Sequence, residues 1–231
     1  MTDHCKALGR HVKTAEELLA EVTEYARSEL SPARFRHSEG VAEEAARIGA
    51  AEGLDTGKCR LAGMLHDIAR EYTDEQYAEL WRKAGLAGRD GEEPFDRVLR
   101  HGKAAAMIAS AKFRITDFDV LDAVMWHTTG RAGLTRLGQV LFVADYTEAG
   151  RTGEHFDRVR TVLARFGLMA AVAEECRLTI LYRASKHLIP MDEQETFAAP
   201  ADINMYTVET LNWALGELAR ERGQHGNGGN S

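Results

Sequence analysis

Apolar residues recur at helical spacing along nearly the whole chain. The first stretch shows the pattern, with an apolar stripe at positions three and four residues apart: Val12, Ala15, Leu18, Leu19, Val22, Tyr25 and Ala26. This period is that of an amphipathic helix, and no stretch alternates apolar and polar residues as a half-buried strand would. The sequence therefore predicts an all-α fold.

Local signals mark where individual helices begin and end. Ser31 and Pro32 read as an N-cap followed by a first-turn proline, and Thr73 with Gln76 as a capping box. Gly53 and Gly85 are expected just past helix ends. The predicted helices span 12–30, 31–52, 56–69, 73–84, 97–113, 117–127, 135–147, 154–166, 169–188 and 203–221. No fixed repeat relates them, so a single irregular bundle is expected rather than a solenoid.

The 231 residues suffice for one well-buried domain. We predict a main domain over 31–190 with an extra helix in an N-terminal extension, 1–30. An insertion and closing helix, 191–222, would pack on that domain, and the tail 223–231, GQHGNGGNS, would be disordered because it lacks core-forming residues. The Gly-rich segment LAGRDGEEP is expected to form an exposed loop near a substrate entrance.

Composition narrows the functional classes. No apolar run approaches the about 18 residues of a membrane span, and the polar N-terminus is unlike an export signal. A formal charge of −7 argues against broad binding to nucleic acid, which needs a basic surface. The three cysteines, Cys5, Cys59 and Cys176, have no disulfide or C-x-x-C spacing. We therefore expect a cytoplasmic protein without membrane or nucleic-acid partners.

Several histidines and aspartates share the apolar stripes of their helices. His37 is in phase with Val41, Ala45 and Ile48, and His101 with Ala105 and Ile108. His127 follows Val120 and Val124, and Asp145 follows Leu137 and Leu141 in the apolar run LGQVLFVADY. A carboxylate in such a helix requires a partner or a metal ion. The other histidines, to which we assign no role, are His4, His11, His155, His187 and His225.

His66 and Asp67 are adjacent in the equally apolar LAGMLHDIA. Successive helical residues diverge by about 100°, so both could bracket one cation from a single turn. Together, four imidazoles and two carboxylates on five successive helices form a plausible ligand set for two metals. Taken singly, each histidine could equally be a buried hydrogen-bonding residue.

The spacing H-(x28)-HD-(x33)-H-(x25)-H-(x17)-D resembles the pattern of the HD phosphohydrolases. More narrowly, RFRHSEGVAEEA, LAGMLHDIAR, HGKAAA, AVMWHTTGR and VLFVADYTEAGR resemble, in order, segments of the YqeK family of bacterial symmetrical bis(5′-nucleosyl)-tetraphosphatases. The similarity spans about 28 to 190, and TVETLN at 207–212 is similar to that family's closing motif.

The resemblance implies an HD domain with a dinuclear iron site that cleaves diadenosine tetraphosphate into two ADP. His37, His66, Asp67 and Asp145 match the ligands of one metal, and His101, His127 and a shared Asp67 match those of the other. Ligand chemistry alone leaves two divalent or trivalent transition-metal ions open, with manganese, cobalt and zinc beside iron. Two ions bridged by Asp67 would activate a water for attack on phosphorus.

The resemblance also implies phosphate contacts for Arg131 and Arg151. Thr128 and Thr129 directly follow His127 and are placed to donate to a phosphate, while Gly130 would let the backbone come close. An ordinary glycine-capped helix end is the alternative for this stretch.

The chain departs from the family pattern at three positions. Arg70 stands where the family commonly has lysine, and Thr147 and Ala149 differ from its ADYIEP. Because guanidinium stays protonated, Arg70 suits phosphate clamping, and we place it with Asp67 in the catalytic set.

Three alternatives to this reading stay open. They are another HD-type nucleotide phosphatase or phosphodiesterase, a non-catalytic nucleotide-binding regulatory module, and a structural cluster of imidazoles. The sequence also leaves the preferred dinucleotide and the oligomeric state open, a homodimer included.

Overall fold

A computed structural model describes residues 14–86, 97–185 and 203–226. These residues form ten helices and no strand, which confirms the predicted all-α class. The helices are α1 (Ala15–Glu29), α2 (Pro32–Ala51), α3 (Thr56–Leu65), α4 (Asp74–Lys83), α5 (Arg100–Phe113), α6 (Phe118–Trp126), α7 (Arg136–Thr147), α8 (Glu154–Phe166), α9 (Leu168–Ser185) and α10 (Met205–Gly226). The predicted loop LAGRDGEEP lies outside the described residues except for Leu86. The segment 186–202 also lies outside them.

The predicted start signals act as expected at two helices. The Ser31 hydroxyl accepts a hydrogen bond from the Arg34 amide, with proline in the first turn. Thr73 and Gln76 form the reciprocal pair of bonds of a capping box. Such caps satisfy amides that have no partner within the helix, which explains why these boundaries can be read from sequence.

The core is built around α7, whose residues 137–144 are all buried. This helix packs against α2, α3, α6, α8 and α9, so a polar residue near its C-terminus is brought towards several other elements. α1 buries Val22 and Ala26 completely and packs on α3 and α2. The N-terminal helix therefore contributes directly to the main core.

Two predicted boundaries are wrong in a way that bears on the site. The third helix ends at Leu65 rather than at 69, and residues 66–70 form turns. The last helix continues to Gly226, so the first four residues of the predicted disordered tail are helical; residues 227–231 lie outside the described part of the chain. Across 14–86, 97–185 and 203–226, no helix combines the length and the apolar content that a membrane crossing requires.

Candidate metal centre

The adjacent pair His66 and Asp67 lies at the middle of the buried polar cluster. Both side chains are buried, His66 completely. His66 caps the C-terminus of α3, and Asp67 sits in the turn that follows. The pair therefore projects from a helix end into the core, rather than from within one helical turn as predicted.

Two carbonyl oxygens fix the orientation of His66 and His127. The Nδ1 of His66 donates to the Gly63 carbonyl at 2.6 Å, and the Nδ1 of His127 donates to the Val124 carbonyl at 2.7 Å. A carbonyl can only accept, so each Nδ1 carries the proton. In the neutral ring, Nε2 then presents a lone pair, 3.4 Å and 3.6 Å respectively from oxygens of Asp67.

His37 is held in the same way from the other side of the cluster. Its Nδ1 lies 3.1 Å from a carboxylate oxygen of buried Glu148, and its Nε2 lies 3.0 Å from an oxygen of Asp145. The Nε2 atoms of His37 and His66 are buried without a hydrogen-bond partner among the described residues. Lone pairs that face carboxylates repel unless a cation lies between them, so this donor set fits a metal ion.

His101 completes the opposite side. Its Nε2 is 3.0 Å from the Nε2 of His127 and 3.5 Å from Asp67. Gly102 allows this approach, because a Cβ there would come within 2.8 Å of the Met125 carbonyl oxygen and 3.4 Å of the His127 ring. Close packing of α5 on α6 thus brings two histidines that are 26 positions apart in sequence into contact.

The electrostatics of the cluster favour ionised carboxylates. Burial would raise the pKa of Asp67, but the adjacent His66 and His127 hold it well below its usual value. Burial would lower the pKa of His66, yet Asp67 and Asp145 raise it. For His101, burial and then the neighbouring His127 lower the pKa well below the usual range. His101 is consequently a neutral imidazole at neutral pH, as a metal ligand must be.

Three arginines surround the cluster. Arg34 donates from Nη1 to Asp67 at 2.9 Å, and Arg151 donates from Nη2 to Asp145 at 2.9 Å. The Nη1 of Arg70 lies 3.0 Å from both ring nitrogens of His101. The two carboxylates of the cluster, buried Asp67 and partly exposed Asp145, are therefore flanked by guanidinium groups that could meet an anionic substrate.

The stretch 128–131, which follows His127, is only partly directed at the cluster. The Thr128 hydroxyl lies 3.0 Å from the Nε2 of His101 and 3.1 Å from that of His127. Thr129 is buried and donates to the Gly130 carbonyl instead. Arg131 donates twice to Asp122, at 3.0 and 3.1 Å, so the structure gives this arginine a partner other than the phosphate expected from sequence.

Gly130 also departs from its expected role. It has a φ of +66°, and a Cβ there would come within 2.7 Å of Thr210 in α10. Thr210 in turn donates to the Thr129 carbonyl at 3.3 Å. The described contact of this glycine is thus with the closing helix, through Thr210, the second threonine of the TVETLN motif, rather than with a ligand.

Sequence reasoning missed two residues of the site, Arg34 and Glu148. Each lies three residues from a predicted ligand, Arg34 before His37 and Glu148 after Asp145. Residues three apart in a helix occupy neighbouring positions on its surface. A search for charged residues one turn away from the proposed ligands would have found both.

Comparison with known proteins agrees with this arrangement. A family model described as HD domain matches residues 34–150, a range that contains all six residues of the cluster. The chain belongs to the HD-domain family. A structure from Clostridium acetobutylicum, named a predicted HD superfamily hydrolase involved in NAD metabolism, superposes with a TM-score of 0.69 at 27% identity and covers 86% of this chain and 97% of its own.

Two relatives of this chain bear the name bis(5′-nucleosyl)-tetraphosphatase, symmetrical. The protein from Staphylococcus aureus is 33% identical over 71% of this chain and 84% of its own length. The protein from Bacillus subtilis is 30% identical over 74% of this chain and 89% of its own length. The similarity therefore extends over most of both chains.

Proposed function

We propose that this HD protein hydrolyses dinucleoside tetraphosphates symmetrically and converts diadenosine tetraphosphate and water into two ADP. The observation that carries the proposal is the set of imidazole Nε2 atoms that face the carboxylates of Asp67 and Asp145. Three of these rings are held in place by an oxygen acceptor at Nδ1. The names of the relatives from S. aureus and B. subtilis support the substrate. The cluster supports hydrolysis that depends on metal ions.

Two groups of residues would hold the two ions. Ligands that share one ion at bonds of about 2.1 Å lie roughly 3 to 3.5 Å from one another. His101 and His127 approach each other to 3.0 Å and Asp67 to within 3.6 Å, which suits one ion. His37, His66 and Asp145 form the second group, within 4.0 Å of a shared carboxylate oxygen, and Asp67 lies between the two.

The ligand set of imidazole and carboxylate without thiolate suits first-row transition metals. We propose iron, the metal implied by the resemblance to symmetrical tetraphosphatases, and regard manganese, cobalt and zinc as compatible. When bound, such a pair would make a water nucleophilic near neutral pH and offset charge on the phosphoryl oxygens.

The surrounding residues would position the polyphosphate. The guanidinium groups of Arg70 and Arg151 lie within 3.0 Å of proposed metal ligands, where they could pair with phosphoryl oxygens as negative charge develops. The Thr128 hydroxyl can donate to an oxygen at the same side. Thr129 and Gly130 would set the backbone conformation next to Thr128. Arg131 would anchor this backbone to α6 through its hydrogen bonds to Asp122.

The test is product analysis with purified full-length protein loaded with iron. Incubation with diadenosine tetraphosphate in H₂¹⁸O should give ADP as the only nucleotide, with one labelled oxygen in half of the ADP molecules, because each hydrolysis adds one water to one phosphorus. A chelator should abolish turnover and added metal should restore it. AMP with ATP would contradict symmetrical cleavage, and absence of turnover would overturn the proposal.

A further inference from the structure

A cavity of about 700 Å³ borders the metal centre. Side chains from α7, α8 and α9, together with the loop before α8, line it, and the six that matter here are Tyr146, Arg151, His155, Phe156, Tyr182 and Arg183. Its volume lies within the roughly 300 to 1,000 Å³ typical of small-molecule sites. The cavity is therefore large enough for a nucleoside with its phosphates.

Aromatic rings cover one side of this cavity. The ring centroids of His155 and Phe156 are 3.9 Å apart, and those of Tyr146 and Phe156 are 4.9 Å apart, with the ring planes tilted by 44° and 58°. The three rings therefore form one contiguous aromatic cluster. Tyr182, from α9, adds a fourth ring that is 57% exposed. Such surfaces accept purine and pyrimidine bases by stacking, because every base has an aromatic face.

Arg151 connects this aromatic surface to the metal centre. Its Nη2 is 2.9 Å from Asp145, and its guanidinium carbon is 5.7 Å from the centroid of the Phe156 ring. A ligand stacked on the rings would consequently have its phosphates directed past Arg151 towards the proposed metal ligands. This continuity distinguishes the cavity from an unrelated surface pocket.

Arg183 marks a second connection. It lines the aromatic cavity and also a smaller neighbouring cavity of about 50 Å³, whose wall includes Thr128. Arg183 has no acidic partner within the part of the chain that the structure describes. No described carboxylate lines the large cavity either, although the whole chain carries a charge of −7. Arg183 thus gives the cavity a guanidinium group that suits a polyanion.

We propose that this cavity binds the nucleoside of one half of the substrate, with the base on the aromatic rings and the adjoining phosphates on Arg151 and Arg183. The identity of the ligand rests on the proposed function. His155, to which the sequence analysis assigned no role, and Arg183 thereby become substrate-binding residues. The ligand class is a nucleoside diphosphate moiety, one half of a dinucleoside tetraphosphate.

The proposal is tested by calorimetric titration of metal-loaded, full-length protein with ADP and, separately, with inorganic pyrophosphate. Because an aromatic partner contributes to base binding by stacking, Tyr182→Ala should weaken ADP binding about 5- to 100-fold. Its pyrophosphate affinity should change less than about twofold, and Tyr182→Phe, which keeps the ring, should bind ADP almost as wild type. Arg183→Gln should weaken both ligands about tenfold.

Matched controls come from outside the cavity. Phe166→Ala removes an aromatic side chain that is 65% exposed, and Arg177→Gln removes an arginine from the same helix as Arg183; both should bind ADP as wild type. For Tyr182→Ala, an unchanged affinity for ADP would overturn the proposal. An equal loss of affinity for ADP and pyrophosphate in the same variant would also overturn it. ADP binding needs no turnover, so a failure of the pocket and a failure of the tetraphosphatase activity are distinguishable.

Discussion

The metal cluster and the stretch 128–131 behave differently although they are adjacent in sequence and space. In the cluster, all six predicted residues converge, with Nε2-to-carboxylate distances between 3.0 and 4.0 Å. In the stretch, only Thr128 faces the cluster, while Arg131 pairs with Asp122 and Gly130 packs on Thr210. The predicted convergence is present for the whole cluster, although His66 and Asp67 follow a helix end instead of lying within the helix. In the stretch, only one residue of four faces the cluster.

The difference lies in how many partners each side chain has available. A carboxylate or imidazole on an apolar helix face is desolvated and must find a polar partner or a cation inside the protein. A residue after a helix end can turn to solvent, ligand or any nearby acceptor. Helical phase therefore constrains the cluster strongly and the stretch weakly.

The largest effect is expected from removing the charge of the carboxylate at the centre of the cluster. Asp67→Asn should lower turnover of diadenosine tetraphosphate about 1,000-fold or more and reduce the bound metal, because the two proposed ion sites share this residue. Elemental analysis and steady-state kinetics measure both effects. Asp122→Asn, a change at a buried carboxylate outside the cluster, is the control and should keep the full metal content.

Arginine substitutions separate the two regions directly. Arg151→Gln should lower kcat/KM about 100-fold, because its guanidinium lies against Asp145 where phosphoryl charge develops. Arg131→Gln should lower kcat/KM less than about tenfold. It should instead reduce the free energy of unfolding by about 1 to 3 kcal/mol, since Asp122 would lose its charged donor. Equal kinetic losses would show that Arg131 also meets the substrate.

A pair of glycine substitutions tests whether the stretch is a packing element. Gly130 and Gly133 have φ of +66° and +71°, so alanine at either costs about 1 to 2 kcal/mol from backbone strain. At Gly130 the new Cβ would also meet Thr210 at 2.7 Å, whereas at Gly133 the nearest atom is 3.8 Å away. Denaturant unfolding should show Gly130→Ala as less stable by about 1 to 3 kcal/mol more than Gly133→Ala. Equal losses would refute the contact.

The smallest effect on catalysis is expected at Glu175. This buried carboxylate lies outside the cluster and is not paired with its histidines or arginines in the described structure. One of its oxygens has no hydrogen-bond partner among the described residues, and burial, followed by the charge of Asp145, raises its pKa well above the usual value. The folded state then binds more protons than the unfolded state between about pH 4.5 and the raised pKa, so stability falls as pH rises through this window. Glu175→Gln should flatten that fall, as measured by unfolding at several pH values. An unchanged pH profile would show that Glu175 stays ionised.

Much of the fold followed from the sequence, because caps and apolar periodicity are local. Ser31, Thr73 and the glycines after helix ends predicted boundaries that the structure shows within a few residues. The boundary at Leu65 was missed because LAGMLHDIAR keeps helical periodicity through the turn. Here tertiary contacts override the local helical pattern, because the helix ends where His66 and Asp67 approach the other ligands.

The sequence by itself was enough to predict which six imidazole and carboxylate side chains come together, because each lies in an apolar segment. Only the tertiary structure decided what the long charged side chains contact. Arg34 contacts Asp67, Glu148 contacts His37, Arg131 contacts Asp122, and Arg183 lines the aromatic cavity. The physical reason is the range of each interaction. The apolar periodicity of one helix indicates which of its side chains are buried. The partner of a long side chain depends instead on which residues the packing brings near it from distant parts of the chain.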